Sequence, residues 1–182
     1  MLELARERGL DAATVGALTE SAGVNRSTFY QHYSDKETLL ADALDAAVDE
    51  LAGRSPVPAD ADAIPAELYA YLEHVKEHVD IYRRILSDHW SAVVVARLRE
   101  RLNTIIVNSL THAPAQPFAG MPLDVVAAGI SGASIGVVTA WISRDPLPPV
   151  DEAAQWLWRV LKGQGQLPLP ADLDAKTEQG TT

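Results

Sequence analysis

The chain of 182 residues has no cysteine, two phenylalanines and two methionines. Without cysteine there is no disulfide framework and no thiolate metal site, which agrees with a reducing cytoplasm. No basic stretch followed by an apolar run opens the sequence, so export is not expected. No phosphate-cradling glycine loop and no nucleophile elbow occurs, which removes two familiar signs of an enzyme. Basic residues are outnumbered, 15 Lys and Arg against 25 Asp and Glu, for a formal net charge of −10. That balance counts mildly against non-specific attachment to a polyanion, but binding is governed by the local field and a few phosphate contacts. The length allows a real core, in one domain or two small ones.

What the sequence does hold is concentrated between Thr14 and Tyr33, TVGALTESAGVNRSTFYQHY. Val15, Leu18 and Ala22 fall at helical spacing, Gly23 interrupts, and Asn25 opens a second run carrying apolar Phe29 and Tyr33 one turn apart. The pattern predicts helix, tight turn, helix. Asn25 suits an N-cap, and Arg26, Ser27, Thr28, Tyr30, Gln31 and His32 lie outside the Phe29/Tyr33 stripe as hydrogen-bonding side chains. A second helix presenting donors and acceptors suits the DNA major groove. Ser34 and Glu37 predict a capping box at the start of the next helix, with Lys36 beside the reading helix. Residues 21–36 hold Arg26 and Lys36 against Asp35, whereas the acids Asp42, Asp45, Asp49 and Glu50 come later.

Residues 9–40, GLDAATVGALTESAGVNRSTFYQHYSDKETLL, resemble the DNA-binding segment of the TetR/AcrR family of transcriptional regulators, above all in TFYQHYSDKETLL. The resemblance implies that Arg26, Ser27, Thr28 and Gln31 approach base edges or nearby phosphates, from a helix headed by Asn25. It implies that Tyr30, His32 and Lys36 hold the DNA backbone, and that Thr14 contacts a phosphate from the preceding helix. The plainer reading of Tyr30 or His32 is completion of a small three-helix core. Family members usually carry another turn or two, often basic, ahead of the helix that holds Leu2, Leu4 and Ala5 here and stops at Gly9. This first helix therefore reads as truncated, which bears on affinity more than on fold.

The next helix is expected from near Asp35 through Leu39, Leu40, Leu44 and Val48 to about Leu51. Gly53 to Pro65 reads as an exposed connection. From Ala66 to Asp80 an apolar stripe of Leu68, Leu72, Val75 and Val79 is edged by Tyr71, His74 and His78, with Glu73, Glu77 and Asp80 on the solvated side. Further helices are expected over Ile81–Ser87, Ala92 to about Leu110, Val125–Ile142 and Asp151–Lys162. The prolines and glycine of His112–Pro122 predict a loop, whose Phe118 and Met121 either cover a cavity or make satellite contacts. Val125–Ile142 is apolar nearly all round, but its small residues and lack of basic flanks argue against a membrane span. Its Gly129, Gly132, Gly136 and Ala140 share a smooth face, and Ile130, Val138 and Trp141 project from another. The last helix also has two apolar faces, Ala154/Leu157/Trp158/Leu161 and Ala153/Trp156/Val160.

His74-Val-Lys-Glu77-His78 matches the H-x-x-E-H zinc-hydrolase signature. The match is weak, because Glu77 falls towards the charged face and no third ligand is evident; lining of a ligand pocket or core-edge packing is preferred. The expectation is an all-α protein: a helix-turn-helix DNA-binding domain over residues 1–50, a helical effector-binding and dimerisation bundle over 51–163, and a disordered tail over 164–182. The family resemblance implies a cytoplasmic homodimer that binds a palindromic double-stranded operator and releases it when a small molecule enters the bundle. No catalytic residue, metal, cofactor or membrane is expected. Candidate ligand-binding residues are Tyr71, His74, His78, Tyr82, Asn103 and Trp141. Candidate dimer residues are Gly129, Gly132, Gly136, Ala140, Trp156 and Val160. The alternatives are a relative that has lost DNA binding and acts as a ligand- or protein-binding module and, less favoured, a zinc-dependent hydrolase using His74, Glu77 and His78.

Overall fold

The computed structural model describes residues 1–52, 63–87, 91–111, 118 and 120–163. Among them are nine α-helices and no strand: α1 (Leu2–Arg8), α2 (Val15–Ser21), α3 (Arg26–His32), α4 (Lys36–Ala52), α5 (Ala66–Glu77), α6 (Val79–Ser87), α7 (Ala92–Thr111), α8 (Leu123–Ile142) and α9 (Val150–Gly163). The expected tail, and most of the Gly53–Pro65 connection, lie outside the described residues.

Local chemistry sets the first helices. The Thr14 hydroxyl accepts from the Ala17 N–H at 3.2 Å and opens α2. Asn25 Oδ1 accepts from the Thr28 N–H at 2.8 Å and opens α3. Between them Gly23 turns the chain at φ +65°, a conformation that costs a side-chain-bearing residue more than glycine. The expected capping box at Ser34 and Glu37 does not form. Asp35 takes its place: its Oδ1 accepts from the Thr38 N–H at 2.7 Å and the Thr38 hydroxyl at 2.8 Å, while Ser34 Oγ donates to its Oδ2. A charged acceptor makes the stronger bond to a free helix N–H, and that N–H holds the Asp35 carboxyl below the ordinary carboxylate range.

The helix expected to run unbroken to Asp80 stops at Glu77, and His78 sits at φ −112°, ψ 29° before α6 begins. The stripe itself explains the break. On one straight helix Ile81 would fall about 180° and Ile85 about 140° away from Leu72. The bend lets all four bury, with Tyr82 beside them.

The apolar residues form one continuous cluster from Leu4, Leu10 and Leu18 through Leu40, Leu44 and Val48 to Leu72, Ile85, Leu98 and Trp141. The helix-turn-helix unit and the bundle therefore share a core rather than hanging on a linker. Helix α4 packs on α7, and α8 lies against both α7 and α9. Arg97 on α7 reaches Asp42 and Asp45, and Arg101 reaches Asp49. Three of the acids that follow the DNA-binding segment, Asp42, Asp45 and Asp49, are thus turned to the bundle and paired. Arg83 on α6 donates to the Ile142 carbonyl at 2.6 Å and the Arg144 carbonyl at 3.2 Å, satisfying acceptors at the end of α8. Trp141 and Ile142 are fully buried. Helix α8 is long and apolar enough for a membrane span, and here it packs inside the protein on one side.

Its other side, the face expected to meet a second copy, is open in the single chain. Gly129, Gly132, Gly136 and Ala140 are all exposed. A Cβ built on any of the three glycines would meet no atom within 4 Å.

Candidate nucleic-acid interface and bundle cavity

The expected reading residues occupy one outward surface. Thr14, Asn25, Arg26, Ser27, Gln31 and His32 are exposed, Tyr30 is 60% exposed, and Thr28 and Lys36 are half-buried. Phe29 alone of α3 is buried, with Tyr30 edge-on to it at 5.3 Å and Tyr33 at 5.7 Å. Neither Tyr30 nor His32 completes the small core. Asn25 Oδ1 also accepts from the Ser27 hydroxyl at 2.5 Å and the Thr28 hydroxyl at 3.0 Å. With those protons committed, both hydroxyls present lone pairs outward, suited to base amino groups. Arg26 lies back over α2, where a Cβ on Gly16 would come within 2.9 Å of its Nη2 and 3.8 Å of Thr14 Oγ1. Thr14 and Arg26 thus lie on the same side of Gly16. Lys36 Nζ donates to the Leu10 carbonyl at 3.3 Å, tying α4 to the end of α1.

Residues 2–43 match the family described as bacterial regulatory proteins, tetR family. This segment of the chain is similar to the tetR-family DNA-binding region. The fold agrees over nearly its whole length with a solved structure described as the fatty acid degradation regulator FadR from Bacillus halodurans, at a TM-score of 0.57 and 14% identity, covering 92% of this chain and 93% of that one. No curated protein sequence matches. At that identity the structural likeness carries fold alone. The match over residues 2–43 and the helix-turn-helix together support a transcriptional regulator.

In the bundle, a cavity of about 360 Å³ opens among α4, α5, α7, α8 and α9. It is lined by Val48, Leu68, Tyr71, Ile105, Ile106 and Trp158, among others. Of the six candidate ligand residues only Tyr71 reaches it; burial pushes its phenol up to about 12. His74, His78 and Tyr82 gather nearby, the His74 ring 4.7 Å from His78 and 5.9 Å from Tyr82. Burial lowers both imidazoles and raises the Tyr82 phenol. His74 Nε2, His78 Nδ1 and the Tyr82 hydroxyl are buried without a hydrogen-bond partner. His74 also lines a separate cleft with Glu50, Glu73 and Glu77. Asn103 Oδ1 accepts from the Ser131 hydroxyl at 2.5 Å between α7 and α8. Trp141 Nε1 donates to the Pro148 carbonyl at 2.9 Å.

The zinc signature does not assemble. Glu77 points to Arg6 at 3.6 Å, and among the described residues no three His, Asp or Glu side chains are placed to hold a metal ion. The sequence reading also missed Glu67, which lines the cavity from the first turn of α5. Its spacing of one turn from Tyr71 was the available signal. The ion pairs of Arg6 with Glu77 and Arg84 with Asp11 left none, being long-range.

Proposed function

We propose that the chain is a ligand-responsive repressor that binds a palindromic operator as a homodimer in the cytoplasm and lets go when a small molecule fills the bundle cavity. The observation that carries this reading is the course of α4. Its Lys36, just past the end of the reading helix, bonds the Leu10 carbonyl, and its Val48 lines the cavity about 18 Å further along. A ligand that shifts Val48 moves the helix on which Lys36 sits, and it weakens DNA binding by as much as it prefers the shifted state. On the DNA side, Arg26, Gln31, Ser27 and Thr28 read base edges or phosphates, while Thr14, Tyr30, His32 and Lys36 position the backbone. The open face of α8 and the neighbouring apolar groups support pairing with a second copy: Val125 is 53% exposed and Val160 on α9 is 41% exposed. The solved relative is described as a regulator of fatty acid degradation. The cavity here would suit an acyl chain, but its Glu67 has the wrong sign for a free carboxylate.

A gel-shift assay of the full-length protein on the DNA flanking its own gene tests the reading. Retention of a fragment carrying an inverted repeat, with half-sites about 34 Å apart or slightly more, is expected. No retention at low salt would leave a ligand-binding module without an operator.

A further inference from the structure

Most of the cavity wall is hydrocarbon; the Tyr71 hydroxyl and the Trp158 indole are its donors, and Ser109, Ser134 and Glu67 supply acceptors. Ser109 Oγ donates to the Ile105 carbonyl at 2.9 Å and Ser134 Oγ to the Ile130 carbonyl at 2.8 Å, so both turn only lone pairs to anything else. Glu67 Oε2 is buried with no hydrogen-bond partner. Among the described residues no lysine, arginine or histidine lines the space. Glu67 stands in the first turn of α5, where a helix favours negative charge. A shielded carboxylate oxygen without a donor is costly, and a ligand that brings the donor recovers that cost. Tyr71 and Trp158 add aromatic faces, of the kind that attract a cation. The Trp158 ring already carries one, with Lys162 Nζ 5.5 Å from its centre.

We infer that the cavity takes an apolar molecule ending in a primary ammonium group, with the ammonium on Glu67 and the hydrocarbon among Leu68, Ile105, Ile106 and Leu157. This rests on the reading of the cavity as the effector site. A carboxylate-ended molecule of the same length meets a like charge in a low-dielectric wall. An alcohol supplies a donor without the charge, and binds more weakly than the amine.

The test is calorimetric titration of the full-length protein with n-decylammonium, n-decanol and n-decanoate, each below its aggregation threshold. Decylammonium should bind at least tenfold more tightly than decanol, and decanoate more weakly than either. Glu67→Gln should erase the preference for the amine while leaving decanol within about threefold. Glu67→Asp, which withdraws the carboxylate by one methylene, should reduce the preference if the Gln variant folds poorly. Equal binding of amine and alcohol in the unmodified protein would overturn the charge assignment and leave the cavity a ligand site. Tightest binding by decanoate, lost in Lys162→Ala, would replace it with an anion held at the rim. Failure of all three to bind would overturn both the ligand class and the effector cavity.

Discussion

Arg6 on α1 reaches Glu77, the last residue of α5, with Nη1 3.6 Å from Oε1. A second pair, Arg84 to Asp11 at 3.3 Å, ties α6 to the segment after α1. Together with the α4–α7 pairs they make the contact between the DNA-binding helices and the bundle a charged, partly solvated joint. Such pairs are worth little in stability, typically about 0.2–1 kcal/mol each, but they fix relative orientation. Arg6→Ala should therefore lower stability by less than about 1 kcal/mol while changing the ligand-induced drop in operator affinity. Denaturant unfolding and fluorescence anisotropy with and without ligand measure the two effects. If ligand-free affinity falls and the induced drop stays the same, the joint is scaffold and carries no signal.

At the DNA surface, Arg26→Ala should blur preference at particular base pairs if the guanidinium swings off Gly16 to reach a base. Lys36→Ala should weaken all sequences alike and reduce the salt slope by about one. Binding measured on an operator and on scrambled DNA across a salt series separates the two. Equal, sequence-independent losses from both variants would make Arg26 a phosphate clamp with Thr14.

The pH dependence follows from His74 and His78. Burial lowers both, the nearby His78 lowers His74 further, and Arg6 lowers His78; Glu77 and Glu50 oppose the shift at His74, and Glu77 and Glu3 at His78. In the unfolded chain the imidazoles take up protons near pH 6.5, before the folded protein does. The unfolded state binds more protons there, so stability is full above about pH 6.5 and falls as pH drops below it. Urea midpoints at pH 7.5, 6.5 and 5.5 should decline, and His74→Gln with His78→Gln should flatten that decline. An unchanged slope in the double variant would place the acid sensitivity elsewhere.

Gly132→Leu tests the open face of α8. A side chain there meets nothing within the chain, so the fold should persist with unchanged circular dichroism while the dimer weakens. Sedimentation at several concentrations reports the assembly. A wild-type protein that stays monomeric at all of them would refute pairing through this face.

Trp141→Ala should cost about 3–5 kcal/mol, because a fully buried indole and its hydrogen bond to Pro148 are removed together. Trp141→Phe should cost less and leave ligand affinity intact. A variant that keeps its stability but loses ligand would return Trp141 to the pocket.

The sequence by itself determined the helix-turn-helix. Caps at Thr14 and Asn25, the left-handed turn at Gly23 and the single buried Phe29 are local matters, settled by neighbours within one turn. It also determined most helices of the bundle, since apolar spacing is a property of the segment. It did not choose between Ser34 and Asp35 as the cap, because that contest turns on the strength of two bonds in one place. Only the tertiary structure decided which polar residues share a space. Tyr71, His74, His78, Tyr82, Asn103 and Trp141 were grouped by residue type, yet helix orientation and the bend at His78 send Tyr71 to the cavity, hold Trp141 against Pro148 and bring Glu67 in. Only the tertiary structure, too, turned Asp42, Asp45 and Asp49 away from the DNA side and onto Arg97 and Arg101. The reason is the same in each case: a helical pattern fixes which residues share a face, and packing against distant helices fixes what that face meets.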